Sequence, residues 1–200
     1  MYTVIGHPMS RALRVIWALE ELRLAYTLDP QPPRGEKVAA LNGTGKIPVL
    51  QTPEGAITDS VAILTYLADK HGALTHPAGS QARAVQDGVT NYIVAELDAA
   101  LWLYAKHSFV LPAELRVTAV KDVARAEFAQ AMDTLAQMKG DQRFMAGDTF
   151  TIADILLSHC AGWGLSRKFA LPGGAMGDFL KSLRKRPARE RVSAIAAKHS

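Results

Sequence analysis

Two short segments hold the residues best suited to chemistry: Gly45-Lys46-Ile47-Pro48-Val49-Leu50 and Thr58-Asp59-Ser60-Val61-Ala62-Ile63. The first reads as a proline-terminated approach to a strand, with a cation just ahead of it. The second sets a carboxylate and a hydroxyl where a strand gives way to a helix, and the first N–H groups of a helix favour an anion. Backbone groups, a cation, a carboxylate and a helix N-terminus suit a small peptide that bears an amine and carboxylates. A third segment, Gly6-His7-Pro8-Met9-Ser10-Arg11, puts a hydroxyl and a guanidinium at the start of another helix, an ordinary place for an N-cap.

The elements that must position these groups follow from apolar spacing. Tyr2 to Ile5 is a short β-prone run broken by Gly6-His7-Pro8. From Arg11 onward, Ala12, Val15, Ile16, Leu19 and Leu22 recur on one helical face. Tyr26 to Leu28 reads as a second strand, and Glu36 to Leu41 as a brief helix. Val49 to Gln51 and Ala56 to Thr58 flank the turn signal Thr52-Pro53-Glu54-Gly55, which predicts a hairpin. A helix opening at Ser60 carries Ile63, Leu64, Leu67 and Ala68, and Gly72 can close it. The order β-α-β-α-β-β-α implies a mixed sheet covered by helices over residues 1–73. Residues 74–80, with Pro77 and Gly79, read as a linker. Residues 81–200 show helical spacing and no convincing strand. Val85, Val89, Tyr92, Ile93, Leu97, Ala100, Leu101 and Tyr104 mark one long segment. Val120, Val123, Ala124, Phe128, Met132 and Leu135 mark the inward face of another. The apolar run Ile152 to Trp163 is expected to be central, and two shorter helices, split by Pro187, complete the region.

Composition narrows the function classes. A hydrophobic share of 48% with 21% charged residues is ordinary for a folded globular chain. The excess of 23 basic over 19 acidic residues is mild and dispersed, whereas a nucleic-acid binder concentrates such charge, so no nucleic-acid partner is expected. Cys160 is the sole cysteine, which excludes an intrachain disulfide. The six histidines form no ligand pair at helical spacing, so no metal is expected. No apolar stretch approaches the ~20 residues of a membrane helix, and the N-terminus lacks the pattern of a secretory signal. A cytoplasmic protein with no membrane partner is the expectation.

Thr151-Ile152-Ala153-Asp154 has the spacing of a capping box, in which Asp154 reaches back to the Thr151 N–H. The wider run Gly147 to Asp154 resembles the helical-domain signature of the glutathione S-transferase family. Ile47-Pro48 resembles the cis-proline position of thioredoxin-like folds, and Asp59-Ser60 resembles the family's acid-serine pair. The resemblance implies an N-terminal thioredoxin-like domain (α/β) followed by an all-α C-terminal domain. It implies that backbone groups of Ile47, ahead of Pro48, pair with the cysteinyl part of glutathione. Lys46 would then face the glycyl carboxylate, while Asp59 and Ser60 hold the γ-glutamyl group. Gly6 to Arg11 resembles the Gly-x-Pro-x-Ser element of serine-type members, the phi class above all, with a bacterial, beta-class flavour elsewhere. On that basis Ser10 would both bind glutathione and stabilise its thiolate, with Arg11 as the other candidate. A free thiol has a pKa of about 8.5, so each unit of depression represents ~1.4 kcal/mol of thiolate stabilisation.

The implied function is detoxifying transfer of glutathione, a cosubstrate and not a resident cofactor, to a small hydrophobic electrophile by a cytosolic homodimer. Met9, Trp102, Tyr104, His107 and Trp163 are candidates to face that electrophile. Two alternatives stay open: a glutathione-dependent disulfide reductase or peroxidase, and a non-catalytic binding protein built on the same fold. Asn42-Gly43-Thr44-Gly45 departs from the family's common Asn-Pro-x-Gly, which loosens the turn before Lys46.

Overall fold

The computed structural model describes residues 1–199. They form two compact units: Met1–Ala78 joined by the segment from Arg184 onward, and Gly79–Leu183. In the first unit β1 (Tyr2–Ile5) and β2 (Tyr26–Asp29) pair in parallel, with α1 (Ala12–Glu21) between them in the chain. After α2 (Glu36–Leu41), β3 (Val49–Thr52) and β4 (Gly55–Thr58) form the expected hairpin, giving the mixed order β2-β1-β3-β4. Thr52 fixes the turn: its hydroxyl donates to the Gly55 carbonyl and accepts from the Glu54 N–H. Helix α3 (Ser60–His71) ends at Gly72 in the left-handed region, as its sequence predicts. The Ile47–Pro48 peptide bond is cis. This is a thioredoxin-like arrangement.

Helix α1 is buried over more of its surface than its apolar stripe requires. Ala12, Val15, Ile16 and Leu19 are fully buried, and so are Trp17 and Ala18; Leu22 is only half-buried. The cause is α9 (Pro187–Ala197), which packs on α1 in this unit. Helical spacing alone groups this helix with the helical region that runs from residue 81. Periodicity marks an apolar face but does not say which element covers it. Three cations fasten α9 and its approach. Arg186 grips Glu21 through both carboxylate oxygens at 2.6 and 2.8 Å, Arg191 pairs with Glu20, and Arg189 lies over the Trp17 ring. Tyr26 donates to the other Glu20 oxygen at 2.9 Å.

The second unit is helical. A continuous run begins with α4 (Gln81–Tyr92), passes through wide π-type turns at Ile93–Asp98, and continues as α5 (Ala99–Ala105). A second π-type stretch, Lys106–Val110, precedes a single 3-10 turn, Ala113–Leu115. Helices α6 (Val120–Lys139), α7 (Ile152–Ser166) and α8 (Gly174–Arg184) follow. Val123, expected to face inward, is about half exposed, and Val120 is half-buried. The buried stripe of α6 is Ala124, Phe128, Ala131, Met132 and Leu135, so Val123 sits one step off its edge. Gly164 of α7 admits this stripe: a β-carbon there would lie 2.8 Å from the Phe128 ring. Among the described residues no helix is long and apolar enough to cross a membrane.

The capping box at α7 is present and reaches further than its four residues. Asp154, fully buried, accepts from the Thr151 N–H at 2.8 Å and from the Met145 N–H at 2.9 Å. It therefore pins the preceding loop as well as the helix. Asp154→Ala would leave two buried donors without an acceptor and should destabilise the protein by ~3 kcal/mol in urea unfolding. A second outcome concerns Tyr26, whose hydroxyl is pushed well above its ordinary pKa of 10.0, first by burial and then by its bond to Glu20. Above pH 10 the unfolded chain releases this proton and the folded chain keeps it. Stability is therefore complete below that pH and falls as pH rises through it. Melting curves of Tyr26→Phe should decline less steeply above pH 10 than those of the wild type.

Candidate functional site

Sheet register brings the three chemically interesting segments to one end of the first unit. Ile5 stands opposite Val49, and Val49 opposite Thr58. One residue beyond this row lie Gly6, Pro48 and Asp59. The β1–α1 connection, the approach to β3 and the start of α3 consequently meet. The meeting is tight at Gly6, whose φ is +144° and whose N–H donates to the Asp29 carbonyl. A β-carbon on Gly6 would fall 3.0 Å from the Ile47 β-carbon and 3.3 Å from that of Ala12.

The approach to β3 is ordered by Asn42, a residue whose hydrogen-bonding role the sequence did not disclose. Its Oδ1 accepts from the Thr44 N–H and hydroxyl, and its amide donates to the Lys46 carbonyl at 2.8 Å. Asn42 is buried, so these bonds are shielded from competing water. They brace the turn at Gly43, where a proline would otherwise stiffen it. Lys46 is exposed, Ile47 half-buried and Pro48 buried. Among the described residues, nothing hydrogen-bonds the Ile47 N–H or C=O. A residue at a strand approach with both backbone groups open offers hydrogen bonds of the kind a bound peptide uses.

The two helix starts divide their work differently. Asp59, not Ser60, caps α3: its Oδ1 accepts from the Val61 and Ala62 N–H groups at 2.8 and 3.1 Å. Asp59 has φ +70° and ψ 128°, a backbone region that a non-glycine residue occupies at a cost of ~1–3 kcal/mol. Such strain at a helix N-terminus is characteristic of a binding corner. Ser60 is buried, and its Oγ accepts from Nη1 of Arg14 at 3.1 Å. Arg14 is 1% exposed. No sequence signal singled it out, because an arginine on an amphipathic helix normally belongs to the wet face. At α1, Ser10 is half-buried and acts as a cap: its Oγ accepts from the Ala12 N–H and donates to the His7 carbonyl at 2.6 Å. Arg11 lies half-buried in the turn that leads into the helix.

Ser10, Arg11, Lys46, Ile47, Pro48, Asp59 and Ser60 all belong to the first unit. So does Met9, which is 64% exposed. The remaining electrophile candidates belong to the second unit. Tyr104 is edge-on to Phe169 and beneath the Arg125 guanidinium. His107 accepts the Val117 N–H on its Nδ1, which closes the loop before α6. Trp102 and Trp163 are half-buried. Trp102 and Tyr104, two residues apart, leave α5 on different sides.

Comparison with known proteins agrees with this fold. The family model described as glutathione S-transferase, N-terminal domain, matches residues 5–77, and that described as glutathione S-transferase, C-terminal domain, matches residues 97–186. Glutathione S-transferase GstA of Escherichia coli O157:H7 is 28% identical over 157 residues, covering 76% of this chain and 75% of that protein. A glutathione transferase structure from Methylococcus capsulatus str. Bath superimposes with a TM-score of 0.87 at 22% identity, covering 99% of this chain and 100% of the other. A glutathione transferase of Phanerochaete chrysosporium, solved with oxidized glutathione, gives a TM-score of 0.86 at 18% identity over 98% and 95% of the two chains.

Gly6 and Gly43 should respond oppositely to the same change. Gly6→Ala strains the backbone and displaces Ile47, so it should lower unfolding stability by about 1–3 kcal/mol. Gly43 has an ordinary φ and open space where a β-carbon would go. Gly43→Ala should therefore stabilise the chain by ~0.4–1 kcal/mol in the same urea titration.

Proposed function

The chain belongs to the glutathione S-transferase family, and from that premise we propose that it binds glutathione at this corner and activates its thiol for attack on a small hydrophobic electrophile. The observation that carries the reading is the open backbone of Ile47 beside Gly6, at the same sheet end as the strained Asp59. In this proposal the Ile47 N–H and C=O pair with the cysteinyl residue as an added strand. Pro48 shapes that edge from below, and Lys46 attracts the glycyl carboxylate. The γ-glutamyl carboxylate sits at the N-terminus of α3 with Ser60, and the second oxygen of Asp59 meets the ammonium.

Extended this way, the cysteinyl thiol approaches the start of α1. The thiol gives its proton to solvent, and Ser10 turns its hydroxyl from the His7 carbonyl to the sulfur. A hydrogen bond to an anion is stronger than one to a carbonyl, which drives that exchange. Arg11 adds positive charge nearby. The thiolate pair then forms the bond to the electrophile's carbon, and the leaving group departs with the electron pair of the bond it breaks. We place the protein in the cytoplasm as a homodimer on the same family reasoning.

One observation favours a second reading. The single Ser10 proton is already engaged by His7, and the same oxygen caps α1, so Ser10 has a complete structural job. Under that reading the chain binds glutathione without conjugating it. Isothermal titration of glutathione into wild type and Ser10→Ala, with bound thiolate followed by ultraviolet absorbance, separates the two. The transferase reading expects binding in both and a rise of about 1–2 units in the bound thiol's pKa in Ser10→Ala. An unchanged pKa moves thiolate stabilisation to Arg11 or to the backbone. Absence of a thiolate signal in the wild type supports binding without conjugation, and absence of binding at millimolar glutathione refutes both.

A further inference from the structure

Arg14 and Ser60 meet where two helices of the first unit touch, and their hydrogen-bonding chemistry is unequal. A guanidinium only donates, whereas a serine hydroxyl has two lone pairs and one proton. Nη1 of Arg14 fills one lone pair of Ser60 at 3.1 Å. No acceptor among the described residues takes the Ser60 proton, although the residue is 97% buried with a relative exposure of 3%. A buried donor without an acceptor is costly unless a ligand supplies one. Asp59 has relieved Ser60 of capping duty by taking both the Val61 and Ala62 N–H groups. We propose that Arg14 is a positioning residue: it fixes the Ser60 hydroxyl as an outward donor, poised for a ligand carboxylate at the N-terminus of α3.

This inference rests on the glutathione reading and deepens it, because the carboxylate in question is that of the γ-glutamyl residue. Arg14 itself stays out of the ligand's reach. Its effect passes through one oxygen atom, whose polarity it dictates, and through its positive charge behind that oxygen. Arg14 itself is 1% exposed, on a helix whose next three residues, Val15, Ile16 and Trp17, are fully buried.

Glutamine and lysine at position 14 make the test. Glutamine is neutral and can accept the Ser60 proton, which frees the hydroxyl to point inward. Lysine keeps a donor-only cation. Affinities for glutathione, and for the analogue in which 4-aminobutyrate replaces the γ-glutamyl residue and so lacks its α-carboxylate, are measured by titration calorimetry. Arg14→Gln should weaken glutathione roughly tenfold and leave the analogue unchanged, and Arg14→Lys should restore most of the loss. In a Ser60→Ala background, Arg14→Gln should have no further effect. Equal weakening of both ligands by both substitutions, or a loss that persists without Ser60, would assign Arg14 to packing and overturn the proposal. If wild type binds glutathione and Arg14→Gln binds equally well, only this inference falls. If wild type binds neither ligand, the parent reading falls with it.

Discussion

A row of three residues across the sheet, Ile5, Val49 and Thr58, governs the chemistry of the first unit. Because strands alternate faces and advance in fixed steps, this register decides which loops emerge side by side. Slipping β3 by one residue would carry Ile47 away from Gly6 and invert every side chain of the strand. The contact at Gly6 enforces the register from outside the ladder, since only a residue without a β-carbon lets the β1–α1 loop lie against Ile47. The hairpin enforces it from the other side through the Thr52 hydroxyl. A few short-range contacts thereby hold a corner whose functional groups come from three distant parts of the chain.

Within that corner the polar groups divide into those that serve the fold and those left open. Asn42 is wholly internal, and Asp59 gives one oxygen to its helix. Ser10 gives both its acceptor and its proton to local structure. Ile47 keeps both backbone groups open, and Ser60 keeps its proton. The open groups sit beside the strained Asp59 backbone, a conformation that persists only because its surroundings over-determine it. Rigidity there is useful, because an ordered edge loses little entropy when a peptide adds to it.

The order of elements, the hairpin, the position of Ile47-Pro48 and the capping box could be read from the chain because each is a local pattern. Turn residues, strand alternation and cap spacing act within a few positions, and the sequence displays them directly. Arg14 shows the limit. Its burial depends on Ser60, which is 46 positions away, and on neighbours that crowd α1 from several sides. Nothing within a helical turn of Arg14 announces this. Asp59 and Ser60 show a finer limit: both residue types cap helices, and only the backbone angles decide which one does. The inward assignment of Val123 failed for a related reason. Apolar spacing fixes a stripe's direction but not its width, so a valine at the margin can fall outside it.

The attachment of α9 to α1 bears on how the chain is made. The first unit draws its outer layer from a segment that follows the whole second unit in the chain. During synthesis, α1 must wait with Trp17, Glu20 and Glu21 uncovered while more than a hundred residues emerge. The helical unit, contiguous in sequence, can close first. The part of the chain that is made earliest is therefore completed last, since the Trp17 side of α1 lacks α9 until residues 187–197 have been made.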